Sequence, residues 1–351
     1  MNWLEDAIRN LYNVYPENCI IVSHADHDGF SSSVLLNSFF MKKYKRIART
    51  LYPTKLNNYR KILSEVKSIK PHFLILVDSP LNQYKDILED ILNHTCVLNF
   101  DHHDILNIKH PNYHNFNPHI WGMDFLNSSG LIWKILREIE PLFFEERSWV
   151  GGIGAIQDYC IEDNYEMFKI IKGSGLIESL ELKSMVDSKL MSLAKLIRAS
   201  IARINPQYVY NSLLNACMIN NFQILYNDDK LQKAYTDFQR EFITASKYFK
   251  TRANIFVQNK IKLKFYDMKA FNITLISDLC EKEKEEAVYI AYKNGRLSLR
   301  ALFIKYDVRP LARLFGGSGP NPRAAGAKTK DSYNVVIQKM LEYLKQTYLF
   351  K

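Results

Sequence analysis

At 351 residues the chain is longer than one small domain and has room for two interiors. Apolar residues make up 47% of it, which excludes a disordered chain. No leader-like start and no apolar run near about 18 residues is present, so neither a secretion signal nor a membrane span is expected. The formal charge of +10 is uneven, since residues 1–200 hold 22 Lys and Arg against 24 Asp and Glu, and residues 201–351 hold 25 against 13.

A basic second part points to a polyanionic partner, nucleic acid first, against the plainer reading of a lysine-rich solvated surface. Cys19, Cys96, Cys160, Cys217 and Cys280 are scattered and form no CxxC pair. That usage argues for reduced thiols in a cytoplasm, and against both a disulfide framework and a thiolate zinc site.

In chain order, "CIIVS" (19–23) is short, β-branched and uninterrupted, as a buried strand should be. After Asp28-Gly29, "FSSSVLLNSFFMKKY" has helical spacing with Val34, Leu35, Phe39 and Phe40 on its inner face. "RTLYPT" (49–54) reads as a strand, "YRKILSEVKSI" (59–69) as a helix, and "FLILVDS" (73–79) as a third strand. "LNQYKDILEDIL" (81–92) is a helix and "CVLNFDHHD" (96–104) a fourth strand. A loop rich in Asn, Pro and His leads to the helix "SSGLIWKILREIE" (128–140). "WVGGIGAIQDYC" (149–160) is a helix or a strand that puts Asp158 near its end. This alternation implies an α/β fold with a doubly wound parallel sheet over residues 1–178. Residues 179–250 are expected to be a helical connection, and 251–351 a smaller α/β domain.

All nine histidines fall within the first 119 residues, so metal or acid–base chemistry belongs there. Ligands of a doubly wound sheet sit beyond the carboxyl ends of its strands. Asp26 and Asp28 follow the first strand, Asp78 ends the third, and Asp101 and His102 end the fourth. Alone, each has an ordinary reading: Asp28-Gly29 as a turn, Asp78 as a helix cap, His102 or His103 as a structural imidazole. Together they would repel and raise one another's pKa unless divalent cations compensate. A mixed oxygen and nitrogen donor set suits Mn²⁺, with Mg²⁺, Co²⁺ or Zn²⁺ as alternatives.

His24-x-Asp26-x-Asp28-Gly29, the strand-end Asp78, "DHH" at 101–103, the "SSGL" helix and Asp158 in "AIQD" resemble, in order, the motifs of the DHH phosphoesterase superfamily. "LSLRA" (297–301) and "DVRPLARLFGGSGPNPRAAGA" (307–327) are similar to the DHHA1 substrate-binding domain of the RecJ and nanoRNase branch. The resemblance implies two divalent metal ions. One would be held by His24, Asp26 and Asp78, the other by Asp28, Asp78, His102 and Asp158, with Asp78 bridging ions about 3.5–4 Å apart. It implies that His103 faces the scissile phosphate and that Asp101 orients a histidine. His27 is expected to point elsewhere, and Ser31–Ser33 to serve the helix start.

In the second domain, Gly316, Gly317, Ser318 and Gly319 would let backbone amides approach a phosphate, with Arg300 and Arg323 as its clamps. Pro320-Asn321 departs from the family pattern, which has a histidine after the glycines; Asn321 could donate to phosphate in its stead. The resemblance implies a metal-dependent exonuclease or phosphodiesterase that trims short single-stranded oligonucleotides to mononucleotides. A pAp phosphatase or cyclic-dinucleotide phosphodiesterase is the alternative, and a non-catalytic replisome scaffold stands behind both. Pyrophosphatase relatives carry a different C-terminal domain. The chain length leaves little room beyond the core, which favours short substrates. A homodimer remains open.

Overall fold

The computed structural model describes residues 2–53, 56–79, 81, 84–105 and 107–347, and the side chains of residues 56 and 57 are likewise left aside. Thr54 in the second expected strand, Pro80 after Asp78-Ser79, and Asn82 and Gln83 in the following helix lie outside the described residues. The chain divides into two compact units, residues 1–180 with 187–235, and residues 181–186 with 236–351. The stretch 179–250 is therefore shared between the two, with the boundary inside the helix Asp229–Lys250.

The first unit holds strands β1 (Cys19–Ser23), β2 (Arg49–Leu51), β3 (Phe73–Val77), β4 (Cys96–Phe100) and β5 (Tyr113–Phe116). They form one parallel sheet in the order β2-β1-β3-β4-β5. Its helices are α1 (Trp3–Tyr12), α2 (His27–Tyr44), α3 (Leu56–Ile69), α4 (Lys85–Leu92), α5 (Ser128–Ile139), α6 (Pro141–Glu146) and α7 (Ser148–Gln157), followed by further helices to Tyr226, apart from Leu182–Met185, which belongs to the second unit. Alternating residues of the buried strands supply both faces of the sheet. Ile20, Val22, Leu74, Leu76 and Val97 pack under Leu63, Val66, Leu88, Ile91 and Leu92 of α3 and α4. On the other side α2, α5 and α7 pack against one another, α2 touching β1 and β3 and α5 touching β4. With helices on both faces, every strand end on one edge opens between loops. The strand order reverses direction between β1 and β3, where a doubly wound sheet binds its ligands.

One element differs from the sequence reading. β5 lies within what reads as an Asn-, Pro- and His-rich loop. Its His114 and Asn115 hide it, because an edge strand paired only to β4 needs just Tyr113 and Phe116 inward. Of residues 149–160, expected as a helix or a strand, those up to Gln157 lie in the helix α7, every residue of which is buried, and Asp158 caps its end. Gly154 has a specific reason to be glycine, since a Cβ there would collide with Ser129 Oγ and an oxygen of Asp28. Gly154→Ala is accordingly expected to destabilise the chain by roughly 1–3 kcal/mol through overpacking, read as a lowered melting midpoint.

In the second unit, strands β6 (Asn254–Gln258), β7 (Ile261–Asp267), β8 (Val288–Lys293), β9 (Arg296–Arg300), β10 (Ser318–Asn321) and β11 (Ala324–Lys328) form a mixed sheet in the order β10-β11-β9-β8-β7-β6. Within this sheet, among the described residues, only β7 and β8 pair in parallel, joined through the helix Leu275–Glu283. Asn294 and Gly295, with φ of 49° and 75°, make the tight hairpin between β8 and β9. The core gathers Leu263, Phe265, Val288, Ile290 and Leu299 against Val336 and Met340 of the last helix, Tyr333–Thr347. Among the described residues, no helix is long and apolar enough to cross a membrane.

Candidate metal centre

β1 ends at Ser23, and the chain bends at once into α2 with Asp26 as its cap. One Asp26 carboxylate oxygen accepts from the amides of Asp28 (3.1 Å) and Gly29 (3.0 Å). The other lies 2.7 Å from His24 Nδ1. Capping thus fixes the first turn of α2 and, with it, the direction of three acidic or imidazole side chains. The neighbouring strand β3 ends at Val77, after which Asp78 takes φ of 51°. Aspartate tolerates this left-handed backbone better than most residues, and the turn sends a buried carboxylate back across the strand ends. Asp78 Oδ2 is 3.5 Å from His24 Nδ1, and Asp78 Oδ1 is 3.3 Å from His102 Nε2 and 3.6 Å from His103 Nδ1.

His102 is the hub of the other side. Its Nε2 also faces Asp28 Oδ2 at 3.6 Å and Asp158 Oδ2 at 3.7 Å. Asp158 arrives from the C-terminal end of α7. Asp28 is held from the far side by the start of α5: Oδ1 accepts from Asn127 Nδ2 (2.5 Å) and the Ser129 amide (2.9 Å), and Oδ2 accepts from the Ser128 amide (2.9 Å). A carboxylate at a helix N-terminus meets amides that have no partner within the helix. His103 Nδ1 lies 2.8 Å from Asp101 Oδ1, which fixes that ring and turns its Nε2 away.

The electrostatics follow from burial and crowding. Burial, then the charges of Asp78 and Asp158, push Asp28 up to about 7. Burial alone would lower His102, but its bond to Asp78 and the charges of Asp158 and Asp28 raise it to about 10. Asp78 is raised by burial and by Asp26. Burial opposes the charge on both His24 and Asp26, yet their mutual attraction wins: His24 rises well above its ordinary value and Asp26 falls well below. His103 is raised by Asp101 against its burial.

Whether the residues suit divalent cations can be tested on their donor atoms. Among the described residues, three groups bring ligand atoms within 4.8 Å of one another: His24, Asp26 and Asp78; Asp28, His102 and Asp158; Asp78, His102 and His103. Asp78 Oδ2 and His102 Nδ1 are buried and make no hydrogen bond. Four carboxylates and three imidazoles crowd this strand edge, with Asp28, Asp78 and His102 buried, so they need positive charge, and oxygen and nitrogen donors of this kind suit hard or borderline dications. The residues fit.

The expected residues His24, Asp26, Asp28, Asp78, Asp101, His102, His103 and Asp158 are therefore all brought to one edge. His27 was expected to point elsewhere; instead its Nε2 lies 3.1 Å from Asp158 Oδ1, because α2 begins at His27 and its first turn faces α7. Sequence reasoning also gave no role to Asn127, Ser128 and Ser129, nor to the supports of the DHH loop. Asn117 Nδ2 donates to the His103 carbonyl (2.9 Å), and His119 Nε2 meets the His102 carbonyl (2.8 Å) while its Nδ1 meets Asp124 (2.9 Å). An asparagine before "SSG" is an N-cap signal, and His119 belongs to the histidine-rich first part; both were available as signals.

The expected phosphate-binding residues lie in the second unit. Arg300 Nε donates to Ser277 Oγ (2.9 Å) and its Nη1 to the Leu299 carbonyl (2.8 Å). The glycine-rich stretch, expected as an open turn, enters a hairpin: Gly316 has φ of 68°, and Gly317 and Gly319 let β10 close on β11, where a Cβ would strike the backbone of Gly326 and Ala324. Asn321 is fully buried, and its Oδ1 accepts from the Arg323 amide at 2.9 Å, which shapes the Pro322-Arg323 turn. Ser318 and Arg323 are half-buried on that hairpin.

No protein-family model matches the chain, and no curated protein matches it by sequence. Solved structures do. It is similar to exonuclease RecJ bound to manganese, with a TM-score of 0.60 and 14% identity over 98% of this chain and 95% of that one. It is similar to RecJ from Thermus thermophilus in complex with Mn²⁺, with a TM-score of 0.65 and 14% identity over 99% of this chain, which spans 55% of that protein's length. A pGpG-specific phosphodiesterase from Vibrio, PggH, matches with a TM-score of 0.52 and 13% identity over 93% of this chain and 99% of that one.

Proposed function

Given that the chain carries the RecJ-like fold of the DHH superfamily, we propose that it is a metal-dependent phosphodiesterase that hydrolyses short single-stranded oligonucleotides to mononucleotides. The observation that carries this reading is the meeting of two ligand groups, His24–Asp26–Asp78 and Asp28–His102–Asp158, across the shared neighbourhood of Asp78 and His102. In this reading the first group and the second, with Asp78 between them, would hold two divalent cations, Mn²⁺ foremost. Such ions acidify an attacking water and neutralise phosphoryl oxygens in an in-line displacement.

The chain's own residues prepare the rest. Asp101 takes the Nδ1–H of His103, so that Nε2 can hold a proton toward a phosphoryl or leaving oxygen. Asn127 and the amides of Ser128 and Ser129 occupy most of the acceptor sites of Asp28 and leave Oδ2 facing His102. The cap at Asp26 and the backbone at Asp78 hold their carboxylates without reorganisation. In the second unit, Arg300 and Arg323 are the proposed holders of substrate phosphate; the expected amides of Gly316 and Gly317 instead donate to the Arg313 and Ala312 carbonyls (3.0 Å each), Ser318 and Gly319 lie in the strand pairing of β10 with β11, and Asn321 is fully buried. The net positive charge after residue 200 supports an extended polyanion.

Binding should therefore be salt-dependent. Arg323→Ala is expected to weaken single-stranded oligonucleotides of all sequences alike and to reduce the salt slope by about 1, measured by fluorescence anisotropy across salt.

The deciding experiment gives purified protein Mn²⁺ with end-labelled RNA and DNA from dinucleotides to long oligomers, and with pAp and cyclic dinucleotides alongside. Preference for the shortest linear species supports the proposal. Turnover confined to pAp or cyclic dinucleotides transfers it to the alternative; pGpG, for which the Vibrio neighbour is named specific, is a linear dinucleotide and so belongs with the shortest linear species. No turnover of any of them would favour a binding scaffold.

A further inference from the structure

The imidazole of His27 is set between two metal-ligating aspartates in sequence, yet it belongs to neither ligand group. It is the first residue of α2, and the Asp26 cap on the Asp28 and Gly29 amides fixes where its side chain starts. Its side chain is 14% exposed, and its Nε2 lies 3.1 Å from Asp158 Oδ1. The other oxygen of that carboxylate, Oδ2, is the one that faces His102 Nε2 at 3.7 Å, beside Asp28. His27 Nδ1 is buried without a hydrogen bond, so among the described residues the ring's one hydrogen-bonding contact is to Asp158.

A structural imidazole in a dry site fills both ring nitrogens. This one gives its bonding capacity to a single carboxylate oxygen. Asp158 stands at the C-terminal end of α7, where Tyr159 turns the chain with φ of 56°. A ligand carboxylate with free rotation about its last bond could present either oxygen. One held at Oδ1 presents Oδ2.

We propose that His27 is a positioning residue for the second metal: its Nε2–H donates to Asp158 Oδ1 and so aims Oδ2 at the site formed with Asp28 and His102. This rests on the metal reading of the centre and is independent of which phosphodiester is cleaved. Groups that orient a metal ligand in this way are worth about 10–100-fold in metal affinity.

The test is a Mn²⁺ titration of the full chain, followed by calorimetry and by the EPR signal of free Mn²⁺. His27→Ala should weaken the second binding step about 10–100-fold and leave the first, through His24, Asp26 and Asp78, unmoved. His27→Gln, whose amide can donate from a similar position, should restore most of the second step. Melting curves of both variants without metal establish that they fold. The proposal is overturned if His27→Ala binds both ions as the parent does, if the Gln variant is as weak as the Ala variant, or if both steps weaken together. Should the parent chain bind no Mn²⁺ in two steps, the metal reading itself falls; should it bind both yet cleave nothing, only the proposed activity falls.

Discussion

Asp78→Asn is expected to abolish hydrolysis while leaving the fold intact. Asp78 contacts His24 on one side and His102 and His103 on the other, so its two oxygens serve both ligand groups. Removing its charge should lower metal occupancy on both sides and take away several kcal/mol of transition-state stabilisation. A loss of about 5 kcal/mol is roughly 10³–10⁴-fold in kcat/KM. Asparagine is chosen because φ of 51° at this position disfavours most other side chains, whereas asparagine adopts it readily. Alanine would mix lost chemistry with backbone strain of about 1–3 kcal/mol. Steady-state kinetics with saturating Mn²⁺, beside a metal-free melting curve, separates the two. A variant that folds and retains activity within about tenfold would remove Asp78 from the centre and the two-metal proposal with it.

That centre was legible because strand ends are legible. β1, β3 and β4 announce themselves as short apolar runs, and the residue after each run is at the open edge of a parallel sheet whatever its neighbours are. Asp26, Asp28, Asp78, Asp101 and His102 could thus be brought together without any knowledge of distance. Residues whose role depends on a partner far along the chain were not legible. Asn127 is an ordinary helix cap until Asp28, 99 residues away, is seen to use the same side chain. Nothing near His27 in the sequence marks its partner, and only the position of α7 sends it to Asp158. β5 was hidden by His114 and Asn115, which an edge strand can turn to solvent.

The division of residues 179–250 was hidden for another reason. Helical periodicity says that a face will be buried, never against which core, so the helix Asp229–Lys250 gives no sign of the boundary at Tyr235. In the second unit the glycines of 316–319 announced conformational freedom. Gly317 and Gly319 use it for strand contact, and Gly316 for a left-handed turn.

Metal affinity should climb steeply with pH, since protons and cations compete for the same atoms. With Asp28 raised to about 7 and His102 to about 10, the metal-free second group carries a proton on His102 at neutral pH and a shared population of protons on Asp28. Both must leave before the oxygens and the imidazole can bind a cation. From these two groups, the Kd for Mn²⁺ should fall about tenfold per pH unit between about 7 and 10, and about a hundredfold per unit just below 7. Calorimetry in buffers of different ionisation enthalpy should record about two protons released near pH 6 and about one near pH 8.

The same shifts set the sign of the stability change. His102 has its folded value above its ordinary 6.5, so its contribution to the metal-free chain is complete below that and is lost as pH rises toward about 10. Asp28 is a carboxyl raised from 3.8 to about 7; its folded form holds the proton more tightly, so its contribution too is lost as pH rises through that interval. The metal-free chain should lose stability on the alkaline side, while a bound cation replaces the missing protons. The gap in melting temperature between metal-loaded and metal-free protein should widen from about pH 6 to about pH 9. A gap that stays constant, with no protons released on titration, would mean that Asp28 and His102 do not take up the ion.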